Sequence, residues 1–472
     1  MLVARDKEKA LLLEAAESDE SKFIAVYGRR RIGKTYLIRE TFGRHFAFQH
    51  SGYANGTNQE QLFAFSASLR EAGLNDFKNP RNWLEAFELL KEVVRRSPDR
   101  KKVVFIDELS WMDTARSDLM LALEGFWNGW ASARTDVVLI VCASATSWMM
   151  KHVVHNKGGL YNRLSLQIAL RPFTLQECEA YARYLGLAMN RYQLLECYMV
   201  LGGVPYYWSL LRRGLSLSQN IDALFFASDA PLKREFRYLY ASIFRKPEPY
   251  LAIIAALGEK KAGMERGELL RATGLGNTGL FSARLEELES CGFIRKYQEF
   301  GKRRRNALYQ LVDNFTLFYF KFLKKEPTDE HFWTNQLNTP ARNAWSGLAF
   351  ERVCLQHIRQ IKEALGIAGV LTHECAWSCH ADPERGINGS QIDLLIDRKD
   401  QVINLCEMKF STQEYAVSKT LETGLRHKIN DLQKLEGTKS AIHPVLVSPY
   451  GVMRNSWSDI FQSVLTAEDL FR

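Results

Sequence analysis

Residues 28–35 read G-R-R-R-I-G-K-T, which meets the phosphate-loop pattern G-x-x-x-x-G-K-[S/T] at every position. The flanks constrain the fold as much as the loop does. Phe23 to Tyr27 is an apolar run with the character of a buried strand, and Tyr36 to Phe42 carries the helix expected to follow it. In such a strand–loop–helix unit, Gly28, Arg29, Arg30, Arg31, Ile32 and Gly33 present successive backbone N–H groups to a triphosphate, and the helix dipole adds favourable charge. Lys34 is then expected at the β- and γ-phosphates, and Thr35 on Mg²⁺. The unit predicts an α/β core built on a parallel sheet that binds ATP.

The next apolar strand, Val103 to Asp107, runs without alternation and ends in Asp107 and Glu108, as a parallel strand covered on both faces should. Asp107 is expected in the Mg²⁺ shell, while Glu108 is placed to orient or deprotonate a water. A third strand, Val137 to Ala143, delivers Ser144. This serine fits a γ-phosphate sensor or a helix cap equally well. Arg163 is the candidate charge stabiliser at the phosphates, with a plain surface arginine as the alternative.

A chain of 472 residues exceeds one core and implies about three domains. The apolar share of 46% and charged share of 25% are those of a folded globular protein. No apolar stretch reaches membrane-spanning length, and Met1 to Lys9 lacks a signal-peptide pattern, so a cytoplasmic protein without a membrane partner is expected. Eight scattered cysteines, several inside apolar runs, suit reduced core thiols. His373, Cys375, Cys379 and His380 crowd into one stretch without a second ligand pair, which favours ordinary thiols and loop histidines over zinc.

The chain divides by pattern into a nucleotide core (1–170), a helical lid (171–245), a winged helix (246–312), a connector (313–340) and a C-terminal α/β domain (341–472). In the lid, helices over Leu175–Leu185 and Gln193–Met199 precede the turn Gly202-Gly203-Val204-Pro205, where Pro205 suits a wall for an adenine ring or a hinge. The winged helix is predicted from a helix through Met264–Ala272, a turn with Gly274 and Gly276, a helix over Asn277–Glu289, and strands over Gly292–Tyr297 and Asn306–Leu311. Lys302-Arg303-Arg304-Arg305, the densest basic run in a chain of net charge +9, falls on the wing tip. It suits phosphate contacts. Glu286, Glu287 and Glu289 make the second helix acidic at its end, so a structural wing stays open beside a DNA-binding one. The connector, with F-T-L-F-Y-F-K-F-L-K-K at its start, is expected to be a helix with a packed aromatic side.

In the C-terminal region, residues 390–410 read as two strands around the polar turn Arg398–Gln401. The period of two sets Asp393 nearly opposite Cys406 and Glu407, and puts Glu407 and Lys409 on one face. Carboxylates bind Mg²⁺ through oxygen, and metal-bound water beside a lysine can hydrolyse a phosphodiester. Glu351, on a helix expected over Trp345–Ile361, could add a third carboxylate. A salt-bridged surface hairpin is the alternative.

Taken in order, these motifs resemble a prokaryotic, archaeal-type ATPase family with a G-R-R-R-x-G-K-T loop, a lid with a G-G-x-P turn, a winged helix and a C-terminal domain similar to PD-(D/E)xK nucleases. The G-x-P turn also resembles that of STAND signalling ATPases and implies that Pro205 contacts the nucleotide. Val3-Ala4-Arg5-Asp6 resembles their G-R-E element, with Ala4 and Asp6 in place of Gly and Glu. The resemblance implies Asp393 and Glu407 as metal ligands, Lys409 as catalytic lysine and Glu351 as the helix carboxylate. Gln391 stands where some relatives carry an acid, and Asn162 replaces a glycine before Arg163. The expected protein is an ATP- and Mg²⁺-dependent switch coupled to a DNA-directed nuclease-like domain. The alternatives are a STAND-like signalling ATPase and a winged-helix regulator; homo-oligomerisation is left open.

Overall fold

The computed structural model describes residues 2–43, 45–244, 246–301 and 307–472. The basic run Lys302–Arg305 lies outside them. The chain divides into two compact units, one of residues 1–172 with 239–247, the other of residues 173–238 with 248–472.

The first unit is built on five parallel strands: β1 (Lys22–Tyr27), β2 (Phe48–Ser51), β3 (Lys102–Asp107), β4 (Val137–Ala143) and β5 (Leu166–Ala169). Their spatial order is β2-β3-β4-β1-β5. The three central strands read as continuous apolar runs because the pleat sends alternate side chains to two separate cores. Phe23, Ala25, Val104, Ile106, Leu139 and Val141 enter one, with Trp83 and Phe87 of the helix Trp83–Arg96. Ile24, Val26, Val103, Phe105, Val138 and Ile140 enter the other, with Leu37 and Ile38 of the helix Lys34–Phe42. β4 therefore separates the phosphate-loop strand from the strand that ends in Asp107. That order brings the carboxyl ends of β1, β4 and β3 onto one edge, where ligands of open α/β sheets bind.

The second unit opens with helices Leu175–Tyr184, Arg191–Leu201, Pro205–Ser209 and Leu217–Phe225. Capping boxes at Thr174, Asn190 and Ser216 start three of them. Pro205 stands at the first helical position, where its fixed φ and missing N–H cost nothing. Gly203 packs so tightly that a Cβ would lie 1.8 Å from Phe173 O. These helices share their core with residues beyond 312: Asn314 Nδ2 donates to Tyr198 O at 2.8 Å, and Phe225 meets Phe315 and Phe318. The expected connector helix is broken, into Asn314–Phe318, a π-turn at Tyr319–Leu323 and Phe332–Asn335. Its aromatic residues do pack, with Phe318 and Phe322 each touching Trp333 and Trp345.

Residues 248–312 run as helix Glu248–Glu259, β6 (Met264–Glu265), helix Arg266–Thr273, helix Gly279–Ser290, β7 (Ile294–Tyr297) and β8 (Leu308–Leu311). The three strands form an antiparallel sheet in the order β6-β8-β7. Met264 and Glu265, expected in a helix, are a strand because Met264 pairs with Tyr309 and Glu265 with Leu308; a ladder overrides local propensity.

The C-terminal sheet has the order β15-β13-β11-β10-β9, from β9 (Thr372–Cys379), β10 (Ser390–Arg398), β11 (Val402–Met408), β13 (Ala441–Val447) and β15 (Ser463–Leu465), while β12 (Tyr415–Ala416) and β14 (Val452–Met453) pair apart. β9, β10 and β11 are antiparallel neighbours; β13 runs parallel to β11. Helix Lys419–Glu436 lays Leu425 and Leu432 on Leu395, Leu405 and Leu446 of the sheet. The helix expected over 345–361 is two, Pro340–Gln356 and Ile358–Ala364, interrupted at His357. No helix among the described residues is long and apolar enough to cross a membrane.

Candidate nucleotide site and carboxylate cluster

The loop after β1 needs its two glycines for different reasons. At Gly28, φ is +148°, and a Cβ would lie 2.2 Å from Leu170 O and 2.6 Å from Ile32 Cδ1. Gly33 has open space around it but caps the helix Lys34–Phe42 at φ +88°, a left-handed conformation that favours glycine. Gly33 brings no side-chain cap, so the first-turn N–H groups remain for an anion. Arg29 is buried, Arg30 lies 5.7 Å over the Trp111 ring, Arg31 is at φ +72°, and Ile32 anchors the loop in the core.

Lys34 is buried and donates to Gly28 O at 2.9 Å, Arg29 O at 3.2 Å and Ser144 Oγ at 2.8 Å. Its ammonium is thereby centred in the loop, where a phosphate would meet it. Thr35 Oγ1 donates to Asp107 Oδ2 at 2.5 Å, which unites the two groups expected around Mg²⁺. Burial raises the Asp107 pKa, against the opposing hydrogen bond from Thr35; a divalent cation would reverse that penalty. Glu108 sits at φ +48° and accepts from the Ser144 N–H at 3.0 Å and from the Ser144 hydroxyl. Ser144 thus bridges Lys34 and Glu108, which neither of its two sequence readings anticipated, because only the placement of β4 between β1 and β3 makes that bridge.

Two candidates take no part in these bonds. Arg163 is exposed on the turn before β5 and, among the described residues, has no hydrogen bond or ion pair with the phosphate loop. Pro205 belongs to the second unit, as does the whole G-G-V-P turn. The N-terminal element is ordered within the first unit: Ala4 and Arg5 adopt φ +55° and +80°, and Arg5 donates to Arg171 O at 2.5 Å. Ala4 thus adopts the left-handed conformation that a glycine would favour at the start of that element.

The C-terminal carboxylates also come together, in a form the sequence did not show. β10 and β11 pair with Leu394 opposite Cys406, and β10 is irregular between Ile392 and Leu395, around Asp393. Lys409 Nζ lies 2.7 Å from Glu407 Oε1, and Lys428 Nζ lies 2.8 Å from Glu407 Oε2. Burial pushes the Glu407 pKa up, but Lys428 and Lys409 outweigh it and the net shift is downward. Glu351 and Asp393 share a different cation: Lys261 Nζ lies 2.8 Å from Glu351 Oε2 and 3.9 Å from Asp393 Oδ2. Burial, reinforced by the charge of Asp393, raises the Glu351 pKa, which places these acids in one field. Gln391 Nε2 donates to Asp393 Oδ1 at 2.9 Å.

The expectation of one metal cage from Glu351, Asp393 and Glu407 is therefore corrected in form. Among the described residues no three His, Cys, Asp or Glu side chains are grouped to hold a metal ion; lysine ammonium groups balance the carboxylates instead. In the stretch His373 to His380, Cys375 is a core thiol of β9. Lys261 and Lys428 escaped the sequence reading because they lie 90 and 21 residues from the acids they meet.

Comparison with known proteins agrees with the first site. Residues 2–211 match the model of an ATPase domain predominantly from Archaea. Over those residues the chain is similar to an ATPase domain of the archaeal type. An uncharacterized protein of Methanocaldococcus jannaschii is 24% identical over 369 residues, 77% of this chain and 78% of that one. Among solved structures, a Walker-type ATPase of Pyrococcus abyssi aligns with a TM-score of 0.48 at 18% identity, covering 67% of this chain and 95% of that one. The ORC2 protein of Aeropyrum pernix, in ADPNP and ADP complexes, aligns at 0.41 and 16% identity, over 75% and 95% of the two chains.

Proposed function

We propose that this ATPase is a nucleotide-controlled switch that directs a Mg²⁺-dependent, nuclease-like site onto DNA. ATP would be held by residues 28–35, with Mg²⁺ between Thr35 and Asp107 and with Glu108 orienting the attacking water once Ser144 releases it. The observation that carries the second half is the gathering of Glu351, Asp393, Glu407 and Lys409 at one end of β10 and β11. Glu351 and Asp393 would supply oxygen ligands for a divalent metal, with Glu407 and Lys409 beside them. The strand and helix order of residues 248–312 supports the winged-helix reading, and with it duplex DNA as the partner.

The test is DNA incubated with Mg²⁺ or Mn²⁺, with and without ATP, using wild type, Lys34→Ala and Lys409→Ala. Cleavage should be lost in Lys409→Ala, and its ATP dependence lost in Lys34→Ala. No cleavage by wild type, with ATP turnover intact, rejects the nuclease. One observation favours a second reading, in which the C-terminal domain binds without cutting: both ends of the Glu407 carboxylate are already paired with lysines. ATP-dependent DNA binding or assembly without cleavage would identify that regulator.

A further inference from the structure

The turn from Lys260 to Gly263 is held more firmly than a surface turn requires. Gly263 N donates to Lys260 O at 3.0 Å, and Gly263 sits at φ +82°, where a Cβ would lie 2.4 Å from Tyr309 O. Lys261 O accepts from Gln310 Nε2 at 2.7 Å and from Arg352 Nη2 at 2.6 Å. Ala262 O accepts from the Tyr297 hydroxyl. A backbone pinned at both carbonyls aims the Lys261 side chain at Glu351 and Asp393.

The chemistry of that contact is that of a stand-in cation. Two neighbouring carboxylates, one of them only 13% exposed, need positive charge between them, and the Lys261 ammonium supplies it. Lys261 is 46% exposed while Glu351 and Asp393 are 13% and 22% exposed, so the lysine can withdraw to water while the acids stay. Arg352, 2% exposed, has no hydrogen-bond partner for Nε or Nη1 among the described residues, and its charge acts on both Glu351 and Asp393. The site therefore keeps a fixed, donor-rich wall when the lysine leaves.

We propose that Lys261 is a built-in competitor for divalent metal at the Glu351–Asp393 pair. The ammonium and the metal occupy the position in turn, and withdrawal of the Lys261 side chain to water opens the site. This rests on the reading of the cluster as metal-dependent. It adds a regulator: residues 248–312 bear the key to a site formed by residues 340–409.

The test is Mn²⁺ titration of the nucleotide-free full chain by calorimetry, with wild type, Lys261→Met, Lys260→Met and Asp393→Asn, alongside acetylation of Lys261 read by mass spectrometry. Lys261→Met should tighten Mn²⁺ binding about tenfold, the order of one unit charge ~4 Å away in a hydrated site. Lys260→Met should not, because Lys260 pairs with Glu268 at 2.7 Å. Mn²⁺ should raise the acetylation rate of Lys261 in wild type. If Lys261→Met binds as wild type does while Asp393→Asn weakens binding, or if Mn²⁺ leaves acetylation unchanged while still binding at Asp393, the competitor is rejected and the metal site survives. If Asp393→Asn has no effect on Mn²⁺, the metal reading falls and this inference falls with it.

Discussion

Gly28 and Gly33 occupy one motif, yet replacing each should fail in a different way. Alanine at Gly28 meets a backbone carbonyl at 2.2 Å, which no side-chain rotation relieves, so β1 or β5 must shift. Alanine at Gly33 meets nothing within 4 Å and bears only the left-handed conformation, which costs about 1–2 kcal/mol. Gly28→Ala should lose about 3 kcal/mol or more, near the upper end of overpacking costs. Urea unfolding of the two variants checks the order; equal losses would refute the packing argument. The motif was legible because its eight residues are contiguous and each meets a local demand. Ser144 was legible only as a polar residue after a strand, since its partners Lys34 and Glu108 are brought to it by strand order.

Between elements, His357 joins the helix Leu175–Tyr184 to the C-terminal region within the second unit. Its Nδ1 donates to Val353 O at 2.8 Å and its Nε2 accepts the Leu175 N–H at 3.1 Å, an arrangement that requires the neutral ring. Burial lowers its pKa to about 4, against a small upward pull from the Val353 hydrogen bond. Burial does the same to His50, also to about 4, on β2 of the first unit. Both folded values lie below the unfolded value of about 6.5, so the unfolded chain takes up protons first as pH falls. The stability they contribute is complete above about pH 6.5 and is lost toward pH 4, on the order of 3 kcal/mol for each ring. Thermal unfolding should therefore show a midpoint that drops between pH 6.5 and 4.5, and His357→Gln should flatten part of that drop. A midpoint that does not move over this range would overturn it. Sequence periodicity located the helices on either side of His357 but ran them together. At the break, His357 meets the Leu175 N–H from 182 residues away, and no local pattern encodes that contact.

For the whole molecule, the parallel core follows from three apolar runs and a loop, whereas the second unit depends on pairings between distant segments. β6 is a strand because β8 accepts it, and Lys261 faces Glu351 because β6 then fixes the turn before it. The same scale governs the proposed DNA partner. A net charge of +9 favours any polyanion and says little of where one binds. Lys302–Arg305 is the densest basic run, and binding through it makes a quantitative demand. Each phosphate contact releases counterions worth about 0.9 in the slope of log K against log salt. Replacing Lys302, Arg303, Arg304 and Arg305 by alanine should flatten that slope on duplex DNA by about 3 to 4. Replacing four exposed cations elsewhere, such as Arg100, Arg359, Lys399 and Arg426, should change it by less than 1. An equal effect of the two sets would mean that net charge alone draws the DNA, and binding through this run would be rejected.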